Sequence, residues 1–165
     1  MTRAVLAGLL LVAVAAAGCG SLRNNPAEPP EPVDAADAID LWANPPVAVN
    51  WDDVPGPDGV RANVFLYRAD RAAPVLVKGT LEVMMYEGRI HEADILKAVP
   101  RQTWTLTEQE LATRQMRGPP GWGYYLQLGW GRNVPASSIV TVLACYKSPK
   151  RPPIYAAPLV VSVGK

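Results

Sequence analysis

From Val47 onward, apolar side chains recur at every second position in short runs, each cut off by proline, glycine or aspartate. A period of two suits a pleated strand with one buried face; a helix would repeat its apolar stripe about every 3.6 residues. Val47–Trp51 reads as a first edge strand. Pro55-Gly56-Pro57-Asp58-Gly59 is a turn cluster, in which proline presets φ and glycine supplies positive φ, and Val60–Tyr67 follows as a strand. Val75–Lys78 and Thr80–Glu87 are strand segments separated by Gly79, with Leu81, Val83 and Met85 sharing one face. Gln102–Leu106, Trp122–Trp130, Ser138–Tyr146 and Ile154–Val163 complete the set. Seven or eight strands over residues 47–165, enough chain for one core, predict a mainly β fold: a single two-sheet β-sandwich.

Two stretches interrupt the alternation. Gly88–Pro100 reads as a loop with a weak helical turn at Ala93–Lys97. Thr107-Glu108-Gln109-Glu110 has the form of a capping box, so one short helix is expected from there to about Met116, stopped by Gly118-Pro119-Pro120.

The other end of the chain follows different rules. Ala4–Ala17 is an unbroken apolar run of 14 residues behind Arg3. As a helix it would reach about 21 Å, short of the ~30 Å hydrocarbon core, and its length suits a secretory leader. Ala16-Ala17-Gly18-Cys19 closes the run and resembles the lipobox of bacterial lipoprotein signals. The resemblance implies cleavage before Cys19 and acylation of its thiol. Each buried CH₂ contributes about 0.8 kcal/mol, so several acyl chains would give a stable anchor. Residues 1–18 are thus expected to be a signal peptide, with acylated Cys19 holding the mature chain to a membrane. Gly20 and Ser21 stand where an inner-membrane retention aspartate would, which by the same resemblance implies the outer membrane, on its periplasmic or surface face.

Between anchor and sandwich, residues 19–46 carry Pro26, Pro29, Pro30, Pro32, Pro45 and Pro46. Such composition predicts an extended, disordered tether. Val33–Trp42 within it has modest helical character, and Trp42 is the residue expected to dock on the domain. Residues 20–46 hold Arg23 against Glu28, Glu31, Asp34, Asp37 and Asp40, whereas the rest carries 14 basic and 10 acidic side chains. That modest excess is far from the strongly basic surface of a nucleic-acid binder, so no nucleic-acid partner is expected. The every-third spacing of Asp34, Asp37 and Asp40 lacks the order of a calcium loop and reads as a solvated face.

Chemistry-bearing groups are sparse. With Cys19 acylated, Cys145 has no partner for an internal disulfide and, mid-strand, reads as a small buried hydrophobe. His91 is the single histidine; His91-Glu92-Ala93-Asp94-Ile95 begins like a zincin helix, but Ile95 stands where the second histidine is required. The carboxylate pairs Asp52/Asp53 and Glu108/Glu110 carry no catalytic signature of their own. No enzyme activity, metal or cofactor is expected. The conspicuous patch is Gly121–Gly131, whose alternation puts Trp122, Tyr124, Leu126, Leu128 and Trp130 on one face. Opposite lie Gly123, Tyr125, Gln127 and Gly129, nearly bare, so that something can pack closely there. The aromatic face reads as filling the core; on the alternative reading, Trp122, Tyr124, Tyr125 and Trp130 are the candidate binding strip, for sugar or peptide. Lys147, Lys150 and Arg151 form a basic loop that reads as solvated, with contact to acidic polymer or headgroups as the alternative.

Val140–Tyr146 followed by Tyr155–Val163 resembles the final two strands of fibronectin type III and other immunoglobulin-like domains; a transthyretin-like sandwich with an extra helix is the alternative. The layout of lipidated cysteine, tether and sandwich is also similar to that of small lipoproteins of type VI secretion systems. The expected role is therefore a membrane-anchored envelope lipoprotein with a structural or protein-binding sandwich. Alternatives are a subunit of an envelope or secretion machine, or a module binding carbohydrate or peptidoglycan.

Overall fold

The computed structural model describes residues 28–164. They form a β-sandwich of two antiparallel sheets with two short helices. One sheet has four strands in the order β1 (Ala38–Trp42), β2 (Gly59–Tyr67), β6 (Gly121–Gly129) and β5 (Gln115–Gly118). The other runs β4 (Gln102–Leu106), β3 (Thr80–Glu87), β7 (Ile139–Lys147), with β8 (Ile154–Tyr155) and β9 (Leu159–Ser162) both on the far side of β7. Between the sheets, Val60, Val64 and Leu66 of β2 meet Leu81, Val83 and Met85 of β3, with Tyr124, Leu126 and Leu128 of β6 and Val140, Val142 and Ala144 of β7. The faces follow the alternation expected of these runs. The last long strands pair as expected, but Ile154–Val163 is two strands, because Ala156-Ala157-Pro158 breaks the ladder and proline has no N–H to offer it.

The acidic, proline-rich segment departs most from expectation. Val33–Trp42 has no helix; Ala38–Trp42 is edge strand β1, paired along its whole length with β2. Ile39 and Leu41 alternate into the core while Ala38, Asp40 and Trp42 face out. Upstream, the Val33 N–H donates to the Leu76 carbonyl and its own carbonyl accepts from the Lys78 N–H, both at 2.8 Å. Downstream, the Ala48 N–H donates to Ser162 (2.7 Å), and Val47 forms a parallel bridge with Ser162. Residues 33–48 are thus a strap that closes one flank of the sandwich from the β2 edge to the β9 edge. The tether expected over 19–46 is, from Val33 on, part of the fold. Cys19 and its box Ala16, Ala17 and Gly18 lie outside the described residues.

The second correction concerns the helix after Thr107. The capping box forms: the Thr107 hydroxyl accepts from the Glu110 N–H, and the Glu110 carboxylate accepts from the Thr107 N–H. Yet α2 spans only Glu108–Ala112, and Gln115–Gly118, expected as its last turn, is strand β5. Gly118-Pro119-Pro120-Gly121 acts as a hairpin turn that lays β5 on β6. A backbone partner across the turn offers those residues a ladder that an isolated, exposed helical turn cannot match. The weak turn in the 88–100 loop is α1, Glu92–Ile95. It sets Ile95 on Tyr86 and Leu143, a small cluster on the outer face of the five-stranded sheet. The loop into it hangs on buried Thr141, whose hydroxyl donates to Gly88 (2.8 Å) and accepts from the Ile90 N–H (2.9 Å).

Candidate interaction surface

The aromatic run on β6 divides between core and surface. Tyr124 and Trp130 are each 1% exposed, and their polar ends are used internally. The Tyr124 hydroxyl accepts from the Val77 N–H (2.8 Å), and burial pushes its pKa up to about 12. The Trp130 indole N–H donates to Pro57 (2.8 Å). Trp122 packs half-buried against the same core. Tyr124 and Trp130 therefore fill the space between the sheets, and Trp122 is partly open at its margin. Tyr125 alone points outward, 40% exposed.

The bare side of β6 is covered from its own sheet. A Cβ on Gly123 would lie 2.5 Å from Phe65 and 2.6 Å from the Val64 carbonyl, so the Phe65 ring sits directly on the glycine. Trp42 of the strap packs on Phe65 with ring centroids 5.0 Å apart and tilted by 56°, the docking expected of this residue. Trp51 likewise covers Gly59 and Gly129. Trp42 remains 44% exposed and is in register with Asn63, which pairs in turn with Tyr125. Two aromatic rings therefore flank Asn63, whose Oδ1 is buried without a hydrogen-bond partner. With strands about 4.8 Å apart, these rings stand roughly 10 Å from each other.

The basic loop is exposed, but its charges are paired. Lys150 pairs with Asp34 and Arg151 with Asp37, while Lys147 donates to Glu82 (2.6 Å). Lys78 also reaches Asp34 (3.3 Å), and the Ser148 hydroxyl donates to the Asp34 carbonyl (2.9 Å). Bonding to Lys150, then to Lys78, holds the Asp34 carboxyl below the usual carboxylate range. Asp37 is held low first by the Ala69 N–H and also by Arg151. The acidic strap and the basic loop are each other's partners. The opposite charge imbalance of the two segments was the sequence signal for this contact.

The remaining candidates do structural work. Asp52 and Asp58 accept backbone N–H groups inside the 50–58 turn, and Glu110 serves the cap of α2. His91 is exposed at the start of α1. Cys145 is buried beneath Tyr155, and burial raises its thiol pKa. Among the described residues no three metal-ligating side chains gather.

Sequence reasoning assigned neither Arg114 nor Gln127 a role at a site, and both line the open β5 side of the four-stranded sheet. Arg114 Nε is buried and unpartnered. Arg61, Arg114 and Arg117 form no ion pair among the described residues. The visible signal was limited to two arginines, Arg114 and Arg117, just after the helix start at Thr107. No family model, curated protein or solved structure matches this chain.

Proposed function

We propose that this chain is a lipid-anchored protein of the cell envelope, fixed through acylated Cys19, whose sandwich serves a non-catalytic, protein-binding role. The observation that carries the reading is the apolar run of 14 residues ending in Ala16-Ala17-Gly18-Cys19. The fold bears on its reach: among the described residues, backbone pairing begins at Val33, 14 residues beyond Cys19. At no more than about 3.4 Å per residue the sandwich sits within roughly 48 Å of its anchor. A partner must therefore lie close to the membrane or span the gap. Protein is favoured over sugar because Tyr124 and Trp130 face inward, which leaves Trp42 and Tyr125 as the most exposed rings of that sheet among the described residues.

Fractionation of cells expressing Cys19→Ser tests the anchor. The wild-type chain is expected in the membrane fraction with a diacylated amino-terminal peptide by mass spectrometry, and the variant in the soluble fraction. A variant that stays with the membrane, or an unmodified full-length amino terminus in the wild type, refutes it.

A further inference from the structure

The four-stranded sheet is incomplete on one side. β5 ends against β6 at the pair Gln115–Tyr124, after which the Arg114 carbonyl accepts from the Tyr125 N–H (2.9 Å). β6 runs on to Gly129 with no strand of the described residues beside it on that side. In an antiparallel ladder alternate residues aim their backbone groups to opposite sides. Tyr125 points toward β5, so Gln127 and Gly129 point the same way. The Gly129 carbonyl is satisfied by β4, accepting from Gln102 Nε2 (3.1 Å) and the Trp104 indole (3.0 Å). Gln127, between them, has no backbone partner among the described residues on that side.

Around this gap lie two grooves that share Arg114 and Gln127. One, of about 150 Å³, is walled by Trp104, Leu106 and Glu110; the other, of about 400 Å³, by Gln115, Met116 and Tyr125. Together they make one trough along the missing strand's path. Within it, one polar group shared by both grooves is unspent: Arg114 Nε is buried without a partner. Its one carboxylate, Glu110, is turned to Thr107, where Oε2 accepts from both the backbone N–H and the hydroxyl at 2.8 Å.

We propose that this trough is a strand-addition site for an extended, acidic segment of a partner protein. The segment continues the line of β5, exchanges backbone hydrogen bonds with Gln127, and sets a carboxylate beside Arg114. A peptide is the ligand whose N–H and C=O spacing matches an open strand edge. The chain's own linker is a poor occupant, because Pro26, Pro29, Pro30 and Pro32 interrupt its N–H groups. A second copy is disfavoured as well: a two-fold contact would bring the same arginines together across the interface. The inference narrows the protein-binding role proposed above to one edge and one partner chemistry, and it does not depend on the anchor.

The test uses the full chain in detergent and three synthetic heptapeptides: one alternating glutamate with valine, one with lysine for glutamate, and one with proline at the centre of the glutamate peptide. The glutamate peptide is expected to bind, by fluorescence anisotropy, at least about tenfold more tightly than either control. It should also slow deuterium exchange over Tyr125–Gly129. Arg114→Gln should weaken binding by about fivefold. Equal binding of the glutamate and lysine peptides, exchange unchanged over Tyr125–Gly129, or no binding at millimolar peptide overturns the proposal. The peptide controls need no change in the protein, so they decide the matter whether or not Arg114→Gln folds. Peptide binding by Cys19→Ser would show the edge to be independent of the anchor, and fractionation reports on the anchor alone.

Discussion

Beginning the chain at Val47, where the sequence alone would place the start of the sandwich, removes β1 and the Val33 bridges and leaves the other eight strands of the described residues in sequence. The lost burial is concentrated in Ile39 and Leu41, 5% and 7% exposed, with Ala36 beside them. Burying one such aliphatic side chain contributes about 1.5–3 kcal/mol, so the pair contributes roughly 3–6 kcal/mol before the newly exposed flank of β2 is considered. Natural domains have about 5–15 kcal/mol in total, so the truncated chain should be marginal or unfolded. Urea denaturation of chains 28–165 and 47–165 measures the difference. With a slope near 1.5 kcal/mol per molar, a loss of this size lowers the midpoint by about 2–4 M. Single substitutions refine the test. Leu41→Ala should cost about 2–4 kcal/mol, whereas Asp40→Ser, on the outward face of the same strand, should stay within about 0.5 kcal/mol. Equal midpoints for the two chain lengths would show that the strap is packed on the sandwich without stabilising it, and would refute the reasoning.

Gly123→Ala and Gly129→Ala sit on the same face of one strand, and β propensity alone treats them alike. The first should destabilise by about 2 kcal/mol, since its Cβ meets the immovable Val64 carbonyl as well as Phe65; the second should be tolerated, its nearest neighbour being the Trp51 ring at 3.4 Å. Thermal melts that rank them in the opposite order would contradict the packing of Phe65 on β6. Asp34 and Asp37 bind protons less readily folded than unfolded, so the stability they supply is present above the unfolded carboxylate pKa, about 4, and is lost as pH falls through their lower folded values. Amide exchange at Val33 and Asp37 should accordingly accelerate in that acid window and in high salt, which screens exposed pairs; insensitivity to both would show that backbone pairing alone holds the strap. Tyr124, raised to about 12 from an ordinary 10, stabilises the fold up to about pH 10, and that contribution of roughly 3 kcal/mol is lost as pH rises further. Its replacement by phenylalanine should flatten the alkaline limb of the stability profile, and an unchanged limb would exclude Tyr124 as its source. Cys145 should resist alkylation until urea unfolds the chain; prompt labelling of the native protein would contradict its burial.

Much of the sandwich was legible because period-two alternation depends only on which residues must leave water. Val60–Tyr67, Thr80–Glu87 and Trp122–Trp130 announce their buried faces without reference to any partner, and the bare side of β6 correctly implied close packing. Thr107 and Glu110 mark a helix start for the same reason, their bonds being local. Three features were hidden. The strap's prolines outweighed its two core residues, Ile39 and Leu41, whose alternation is too brief to stand out among aspartates. Gln115–Gly118 has helix-compatible residues and becomes a strand only because the turn at Pro119-Pro120 brings β6 alongside. The lysines and arginine of the 147–151 loop looked solvated because their partners are far away along the chain. Of the binding strip, Tyr125 points outward, and Tyr124 and Trp130 do not, since the side of β6 that faces the second sheet is the side with the larger apolar area to remove from water.

By itself, then, the amino-acid sequence determined that the described chain would pair strands, which faces of the long strands would be dry, and where one helix would start. These follow from short-range sterics, hydrogen bonding and the hydrophobic periodicity of single segments. Only the tertiary structure decided that an acidic linker would become an edge strand, that β5 would stop short of the end of β6, and which arginines would be left without a carboxylate. Those outcomes depend on what arrives from elsewhere in the chain to occupy a sheet edge, and an edge has no counterpart in one dimension.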